Sequence, residues 1–498
     1  MNPRILTRRR PPVPAGSVPV WSQRLAEVAR ALGRPAPAPA ATARELVDAS
    51  TQVIDLTDRA QVWLALGALS GVLPVDRTVV RTVRECELDG PGALWRHVAE
   101  ASTPPSMSAT VRVLTDQTLV DVNHTVATDL ATGIQRVARE TVRRWAAHHP
   151  IRAVAWTDGF LGLRDLTPDE RARVLPPGRH DDDAAHVVVP WRSTVLVPEL
   201  AAEHGRSDRL LALARYSGNR TGVIGFDCVP LTSAETTAEG FAAVFFGNLA
   251  AVRHFDRVAA ISDAAAIEYE GWRRMLGAVG SDGPQVSAVS LPAEAETPTP
   301  EDLADARERF LVPGLPLVLV VGSHEPRKNH LAVLHAAERR WRAGDRFSLT
   351  FIGGNSWGSA GFSRRLAELQ ALGRPVETAS RVPDRLLWAA YRLARVTVFP
   401  SLNEGFGLPV AESLASGTPV ITSAYGSMRE IADGGGALLV DPRDDTTIAA
   451  ALHRVLEDDA LHTSLVSAAR ARPHRTWDDY AADVWELLTA DARTGPHR

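Results

Sequence analysis

The sequence predicts an α/β protein with two successive parallel-sheet domains that face a common cleft, preceded by an α-helical N-terminal extension. Short β-rich runs alternate with helical stretches from residue 109 onward, and a second such series begins at 315–321. This alternation is typical of βαβ units and parallel sheets. The polar, proline-rich segment 292–300 lies between the two series and has the composition of an interdomain linker. Open parallel sheets bind ligands at the carboxyl ends of their strands, so two of them predict a cleft between the domains.

The first hundred residues divide into a tail and a helical extension. Residues 1–20 combine proline, arginine and small residues without periodicity, which predicts a disordered tail. Residues 21–108 show the spacing of amphipathic helices, first in Leu25, Val28, Ala29 and Leu32 and again around 42–56, 60–70 and 76–87. No catalytic constellation accompanies these helices, so we predict a helical appendage or an interaction module.

The two α/β domains are predicted at residues 109–295 and 296–475. The strands expected in the first domain are 111–114, 118–122, 152–156, 186–189, 194–198, 221–226 and 257–261, with an amphipathic helix at 133–147. Those expected in the second domain are 315–321, 347–352, 396–399, 419–422 and 437–440. A last helix, from Trp477 to about residue 490 in the C-terminal segment 476–498, is expected to pack across one of the two domains.

Composition and charge exclude several classes of function. The net charge of −4, without a basic stripe and interleaved aromatics, argues against a general nucleic-acid-binding protein. Cys86 and Cys228 form no Cys-x-x-Cys pair, so neither a disulfide framework nor a zinc site is expected. The N-terminal arginines precede prolines and no apolar run reaches about 18 residues, so we expect neither a signal peptide nor a transmembrane helix. These features fit the cytoplasm.

A single lysine, Lys328, stands among the 55 basic side chains of the chain. It lies in the loop 322–329, between an apolar run and a helical stretch. Lysine provides a compact point charge, and the backbone amides at the start of a helix point in the same direction. We therefore predict that Lys328 binds a phosphate group.

The densest cluster of candidate site residues is 399–412, which starts where a predicted strand ends. Gly405 and Gly407 allow the backbone to turn tightly and to approach a ligand. The proline two positions later suits the first turn of a helix, whose exposed amides can hold a phosphate or a sugar hydroxyl. Carboxylates such as Glu404 and Glu412 are strong acceptors for paired sugar hydroxyls. The cluster predicts a site for a sugar nucleotide.

This cluster resembles the signature of a large family of retaining glycosyltransferases, family 4, which has the GT-B fold and includes glycogen synthases, sucrose synthases and bacterial mannosyltransferases. Glu404 and Glu412 match its E-x7-E motif, and 404–408 matches the usual EGFGL form through Gly405, Phe406, Gly407 and Leu408. The loop at Gly322 resembles the donor-phosphate loop, with Lys328 at the position of the phosphate-binding lysine. The resemblance covers about residues 110–490 and implies two Rossmann-like domains, an N-terminal acceptor domain and a C-terminal donor domain.

In the first domain the match is weaker. Residues 132–136, Thr-Gly-Ile-Gln-Arg, are similar to a segment of bacterial O-antigen-type mannosyltransferases, and this resemblance implies that Thr132 and Gly133 face the cleft. The segment that begins at Phe226 resembles the family's His-Asp-x-x-Pro segment, so Asp227 is expected near the reacting sugar, although Phe226 replaces the histidine.

The second domain also departs from the family at one position. Ser323 follows the glycine of the phosphate loop, where many members carry an arginine. Either Arg327, together with Lys328, is therefore expected to neutralise the diphosphate, or the amides at the start of the helix carry more of that load. Gly353 and Gly354 end a predicted strand and are expected to shape the nucleotide pocket.

The resemblance implies transfer of a sugar from a nucleotide diphosphate to a hydroxyl of a glycan or lipid-linked acceptor, with retained anomeric configuration. Glu404, Arg327 and Lys328 are the expected catalytic residues: Glu404 orients the donor sugar, and the two cations stabilise the leaving diphosphate. Glu412 is expected to bind the ribose. No metal and no cofactor besides the nucleotide-sugar co-substrate is expected. The segment 132–136 favours GDP-mannose as donor, and a lipid-linked acceptor would place the enzyme at the inner face of the membrane.

Two other classes of function remain open at this point. One is a GT-B sugar-nucleotide epimerase or a phosphorylase, against which the Glu404–Glu412 pair and the loop at Gly133 favour a transferase. The other is a non-catalytic scaffold that binds sugar nucleotides. The retention of Arg327 and Lys328 argues against a scaffold, while the loss of the family histidine argues weakly for it.

Overall fold

The computed structural model describes residues 15–127, 133–176 and 186–490. In this part of the chain the extension forms six helices, which are α1 (Val18–Ala31), α2 (Ala43–Val53), α3 (Arg59–Ser70), α4 (Asp76–Asp89), α5 (Gly92–Ala101) and α6 (Pro104–Ser108). The disordered tail predicted at 1–20 is too long at its C-terminal end, because α1 begins at Val18, which is buried together with Trp21. Residues 1–14 lie outside the described residues.

Among the described residues, the first α/β domain contains a nine-stranded sheet. Its strands are β1 (Val111–Leu114), β2 (Thr118–Asp121), β3 (Ile151–Trp156), β4 (Leu163–Asp165), β5 (Val187–Pro190), β6 (Thr194–Val197), β7 (Arg220–Gly225), β8 (Arg257–Ala260) and β9 (Gln285–Ala288), in the order β1-β5-β4-β3-β2-β6-β7-β8-β9. Only β4, among the pairs described, runs antiparallel to its neighbours. Strands β4 and β9 were not predicted, because neither contains an apolar run.

Seven helices flank this sheet among the described residues. They are α7 (Asn123–Ala127), α8 (Gly133–His148), α9 (Pro168–Val174), α10 (His204–Tyr216), α11 (Val229–Thr232), α12 (Phe241–Val252) and α13 (Asp263–Leu276). Helix α8 begins at the predicted residue, Gly133, and ends at His148, one residue beyond the predicted end. Its amphipathic pattern therefore located it well.

The extension is a layer of the first domain and not a separate appendage. Helix α3 lies against α10 and against the strands β1 and β5. The guanidinium of Arg24, which is only 4% exposed, donates to the backbone carbonyls of Leu69, Ser106 and Ala109. Asp76 at the start of α4 forms an ion pair of 2.6 Å with Arg215 on α10. The two parts of the chain therefore share one apolar core.

The second domain contains a six-stranded, fully parallel sheet. Its strands are β10 (Leu317–Val321), β11 (Ser348–Ile352), β12 (Val376–Ala379), β13 (Val396–Phe399), β14 (Val420–Ser423) and β15 (Ala437–Val440), in the order β12-β11-β10-β13-β14-β15. This is the doubly wound order, in which the direction of strand addition reverses between β10 and β13. Ligands of such sheets bind beyond the carboxyl ends of the strands at that reversal. Strand β12 was not predicted, because its two central side chains are polar and half-buried.

The helices of this half of the chain are α14 (Pro300–Phe310), α15 (His330–Ala343), α16 (Ala360–Ala371), α17 (Asp384–Leu393), α18 (Leu408–Ala415), α19 (Gly426–Ala432), α20 (Asp445–Glu457), α21 (Asp459–Arg470) and α22 (Trp477–Thr489). The last of them, α22, returns to the first domain. Trp145 donates from its indole nitrogen to the carbonyl of Ala481 at 2.8 Å, and Arg220 donates to the carbonyl of Thr489 at 2.7 Å. This settles which domain the C-terminal helix covers.

None of the helices in the described ranges 15–127, 133–176 and 186–490 has the length and apolar character needed to span a membrane.

Candidate active site

The loop 322–329, which follows β10, crosses the pair Gly353–Gly354, which follows β11. The two segments approach so closely that each needs a glycine at the crossing. Gly322 follows β10 with φ = +139°, a backbone conformation that side chains rarely adopt. A Cβ on Gly353 would lie 1.9 Å from the carbonyl oxygen of Gly322, and a Cβ on Gly322 would lie 2.8 Å from Cδ of Lys328. Gly354 accepts a hydrogen bond of 2.8 Å from the backbone of His324. The crossing holds Lys328 directly above the end of β10.

Glu404 joins the two cations that the sequence analysis singled out. Its carboxylate accepts from Nη1 of Arg327 at 2.5 Å, from Nζ of Lys328 at 2.9 Å and from the hydroxyl of Ser401 at 2.8 Å. Burial alone would raise the pKa of Glu404, but Arg327 and Lys328 outweigh it and lower that pKa to about 2. The loop after β10 and the loop after β13 thus meet in one ionised cluster at the reversal of the sheet.

A second carboxylate, that of Glu325, completes the cluster. Its Oε1 lies 3.4 Å from Nη2 of Arg327 and 3.8 Å from Nζ of Lys328. The hydroxyl of Ser323 donates to the same oxygen at 3.0 Å, so the residue that replaces the family's arginine orients a carboxylate towards the cations. Burial disfavours the charge on Arg327, yet Glu404 and Glu325 raise the pKa of its guanidinium above the ordinary value. The cluster therefore balances two cations with two carboxylates.

Glu412 pairs across the two domains. It lies on α18, which follows Gly407 in the left-handed conformation with φ = +104°. Its carboxylate accepts from Nη1 of Arg136 on α8 at 2.7 Å and from the hydroxyl of Tyr391 at 3.0 Å. Burial raises the pKa of Glu412, and Arg136 offsets part of that effect. The guanidinium of Arg136 also lies 5.9 Å from the ring centre of Trp388.

The domains touch directly at Gly405. A Cβ on Gly405 would lie 2.1 Å from the carbonyl oxygen of Phe226, so this glycine allows close approach of the first domain. The hydroxyl of Ser262 donates to the carbonyl of Gly405 at 2.6 Å. Glu430 accepts from the first two backbone amides of α13, at 3.2 and 3.1 Å. The second domain thus supplies part of the cap of a helix in the first.

Asp227 follows β7 and faces the cationic cluster. Burial raises the pKa of its carboxyl to about 6, although Arg327 acts in the opposite direction. Its Oδ1 accepts from the backbone amide of Val229 at 3.1 Å. Phe226, at the place of the family's histidine, is buried. Asp227 is therefore the titratable side chain of this loop that reaches the second domain.

The remaining predicted residues fall at the same junction. Gly133 begins α8, and a Cβ there would lie 3.3 Å from Cδ1 of Leu408. Phe406 is buried in the core shared with the first domain. Thr132 lies outside the described residues. Sequence reasoning did not select Arg136, Tyr391 or Glu325. Arg136 stood inside the quoted segment 132–136 and Glu325 inside the loop 322–329, whereas Tyr391 carried no signal of its own.

No group of potential metal ligands lies at this junction among the residues that the structure describes. The set of potential ligands found among the described residues is Asp345, His453 and Glu457. It lies by the amino end of β11, at the opposite edge of the sheet from the junction. Asp345 forms an ion pair of 2.8 Å with Arg340.

In this two-domain α/β fold, the ionised loop 322–329 meets the loop that carries Glu404 where the strand order of the second sheet reverses. Residues 304–472 match the family "Glycosyl transferases group 1". The chain thus contains a glycosyltransferase group 1 domain within a GT-B fold, and the predicted fold class and family resemblance are confirmed.

Relatives of known name support the same class. The chain is 27% identical over 334 residues to the serotype-specific mannosyltransferase WbdA of Escherichia coli, an alignment of 64% of this chain and 40% of that protein. It is 34% identical over 238 residues, 45% of this chain, to a D-inositol 3-phosphate glycosyltransferase of Acidothermus cellulolyticus, of which the alignment covers 52%. The chain therefore spans about half or less of the length of these two relatives.

Solved structures show the fold. Sucrose-phosphate synthase from Thermosynechococcus elongatus superposes with a TM-score of 0.55 at 20% identity, over 75% of this chain and 98% of that one. The Anabaena protein HepE, crystallised with UDP and glucose, gives a TM-score of 0.55 at 13% identity, over 75% of this chain and all (100%) of that one.

Proposed function

We propose that this protein transfers a sugar from a nucleotide diphosphate to an acceptor hydroxyl with retention of anomeric configuration. The observation that carries the proposal is the buried cluster of Arg327, Lys328 and Glu404 at the reversal of the second sheet. It combines two fixed cations with an ionised carboxylate, and it faces Asp227 across the cleft.

The two cations act on the leaving group. Breaking the bond between the anomeric carbon and the diphosphate oxygen develops negative charge on that oxygen. One cation at 4 Å contributes about 4 kcal/mol at an effective dielectric constant near 20, which is about a thousandfold in rate when the interaction exists only in the transition state. Glu404 and the carbonyl of Asn403, which accepts from Arg327 at 2.7 Å, hold the cations in place beforehand.

Glu412 retains the capacity to bind a ribose. A carboxylate offers about four acceptor positions, and Arg136 and Tyr391 occupy one on each oxygen. The two that remain suit the paired 2′- and 3′-hydroxyls of a nucleotide. Glu404 would then orient the donor sugar, and the proton of the acceptor hydroxyl would pass to the departing diphosphate as the new glycosidic bond forms.

The reaction is proposed to need no metal ion, because Arg327 and Lys328 supply the positive charge that a divalent ion would bring to the diphosphate. We expect full activity in EDTA. Loss of activity that Mg²⁺ restores would refute this part of the proposal.

GDP-mannose is the proposed donor, supported by the segment 132–136 and by the likeness to a mannosyltransferase of Escherichia coli. A glycan or a lipid-linked molecule is the proposed acceptor. The protein would work in the cytoplasm, at the inner face of the membrane when the acceptor is lipid-linked.

A donor panel tests the function. The protein is incubated with GDP- and UDP-sugars, with and without acceptor, and release of nucleoside diphosphate and the anomeric form of the product are measured. Acceptor-dependent release supports a transferase, and C2 inversion of the donor sugar without release would indicate an epimerase.

Lys328→Ala should lower kcat/KM at least about tenfold, because it removes one of the two cations from the transition state. Arg339→Ala, an exposed arginine on the following helix α15, is the matched control and should leave kcat/KM unchanged. Wild-type kcat/KM in the Lys328 variant would contradict the phosphate role.

A further inference from the structure

A cavity of about 340 Å³ opens between the carboxyl ends of the first sheet and the phosphate loop. Its walls include Leu200, Phe226, Phe241, Phe245, Tyr269 and Trp357, and Asp227 and Arg327 also line it. The volume is within the range of sites for small ligands. It lies on the side of the cleft where a transferase needs its acceptor.

Most of the polar side chains on the first-domain wall of this cavity already form hydrogen bonds within the protein. Glu199 accepts four hydrogen bonds, from two backbone amides, a threonine hydroxyl and Arg206. Thr236 and Thr237 each donate their hydroxyl to the backbone carbonyl three residues earlier. The amide of Asn248 donates to a backbone carbonyl at 2.9 Å. Apart from the hydroxyl of Tyr269, these side chains have few hydrogen-bond donors left for a sugar, and the rest of this wall is mainly apolar.

The charged side chains of the cavity that can bind a ligand lie at the end that faces the second domain. Asp227 and Arg327 lie there with Glu325, and they belong to or face the ionised cluster of the proposed reaction. A ligand that matches both ends carries a hydroxyl-bearing head at this cluster and an apolar body along the first domain. A polysaccharide matches this cavity less well, since most of its hydroxyls would face apolar side chains.

The apolar wall continues outward along α12. Phe241 and Phe245 line the cavity, while Val244 and Phe246 on the same helix are 44% and 50% exposed. A chain longer than the cavity can therefore follow this helix to the surface.

We propose that the acceptor is amphiphilic: its reacting hydroxyl lies beside Asp227 and Arg327, and an aliphatic chain attached to it, directly or through one sugar, occupies the cavity. This inference rests on the proposed function and names its acceptor class. Each buried methylene is worth roughly a fourfold gain in binding, so chain length should control acceptor use.

The test is a series of α-mannosides that share one sugar and differ only in their alkyl chain: methyl, butyl and octyl, all kept below micelle-forming concentrations. We expect kcat/KM to rise at least about tenfold from methyl to octyl, because several methylenes enter the cavity. Equal kcat/KM along the series would overturn the inference while leaving the transferase function intact.

A variant checks that the gain arises in this cavity. Ala238→Glu places a charged side chain on its wall, at a loop position that is half-buried. It should abolish the chain-length gain, while an unchanged nucleoside diphosphate affinity shows that the variant is folded and that its donor site is intact. A gain that persists in a folded Ala238→Glu protein would overturn the assignment.

Direct binding separates this inference from the proposed function. Isothermal titration of the wild-type protein with the methyl and octyl mannosides needs neither turnover nor a variant. At least tenfold tighter binding of the octyl compound supports the cavity assignment even when no donor is turned over, an outcome that would refute only the transferase proposal. Equal or absent binding of both mannosides would overturn the amphiphilic acceptor.

Discussion

Replacing Glu404 with glutamine would keep both cations, Arg327 and Lys328, but remove the negative charge that forms ion pairs with them. The Glu404 carboxyl has a pKa of about 2, against an ordinary value of 4.5. A tenfold change in proton affinity is worth about 1.4 kcal/mol, so this difference corresponds to about 3 kcal/mol of folding free energy at pH 7. A domain of 150–250 residues loses about 2–4 °C of Tm per kcal/mol, which predicts a decrease of about 6–12 °C.

The stability difference between wild type and Glu404→Gln should become smaller as the pH falls. The pKa of Glu404 is lower in the folded chain than in the unfolded chain, so its contribution is complete above about pH 5 and is lost as the pH falls through 4.5 towards 2. The wild type should therefore exceed Glu404→Gln in stability by about 3 kcal/mol at pH 7 and by only about 1 kcal/mol at pH 3. Thermal unfolding followed by circular dichroism at the two pH values measures both differences.

Glu325→Gln is the matched control. Its oxygen lies 3.4 and 3.8 Å from the same two cations, whereas the distances from Glu404 are 2.5 and 2.9 Å. We therefore expect the control to lose less than half as much stability. Equal Tm values for wild type and Glu404→Gln at pH 7, or a difference that does not narrow by pH 3, would refute the reasoning.

Three further predictions concern the junction of the domains and the extension. Gly405→Ala would place a Cβ 2.1 Å from a carbonyl oxygen of the first domain, so transfer should fall at least about tenfold, whereas Gly361→Ala, with nothing within 4 Å of the added Cβ, should leave kcat/KM unchanged. Arg136→Ala removes the ion pair that joins α8 to α18, so small-angle scattering should give a larger radius of gyration, with Arg139→Ala on the same helix unchanged. Arg24→Met leaves two buried carbonyls and one part-buried carbonyl without their donor and should lower the free energy of unfolding by about 2 kcal/mol or more, measured by urea denaturation; an unchanged midpoint would contradict it.

The parts of the site that sequence reasoning located are those carried by contiguous residues. The loop around Lys328 and the run from Glu404 to Glu412 each combine a strand end, a glycine and a helix start, and the helix and strand patterns place both at one edge of a sheet. The pair of Arg136 and Glu412 could not be found in this way, because 276 residues separate its members and only the folded chain brings them together.

The extension illustrates the same limit. Its periodicity predicts helices, and helices are found from Val18 onward. Periodicity shows that a helix has an apolar face but does not show which surface covers that face. The buried guanidinium of Arg24, bonded to carbonyls of Leu69 and Ser106, is what ties α1 into the layer on the first domain, and no local pattern encodes it.

The charge balance of the loop 322–329 changes the interpretation of Ser323, which stands where many family members carry an arginine. With serine where many family members carry arginine, Arg327 and Lys328 were expected to hold the diphosphate without further cationic help. In the folded chain they already face Glu404 and Glu325, and Ser323 itself donates to Glu325 at 3.0 Å. On the proposed function, donor binding is therefore an exchange of counter-ions: the diphosphate replaces carboxylates at the two cations. The exchange would free Glu404 to accept from the donor sugar, so that the arrival of the phosphate and the orientation of the sugar become one event.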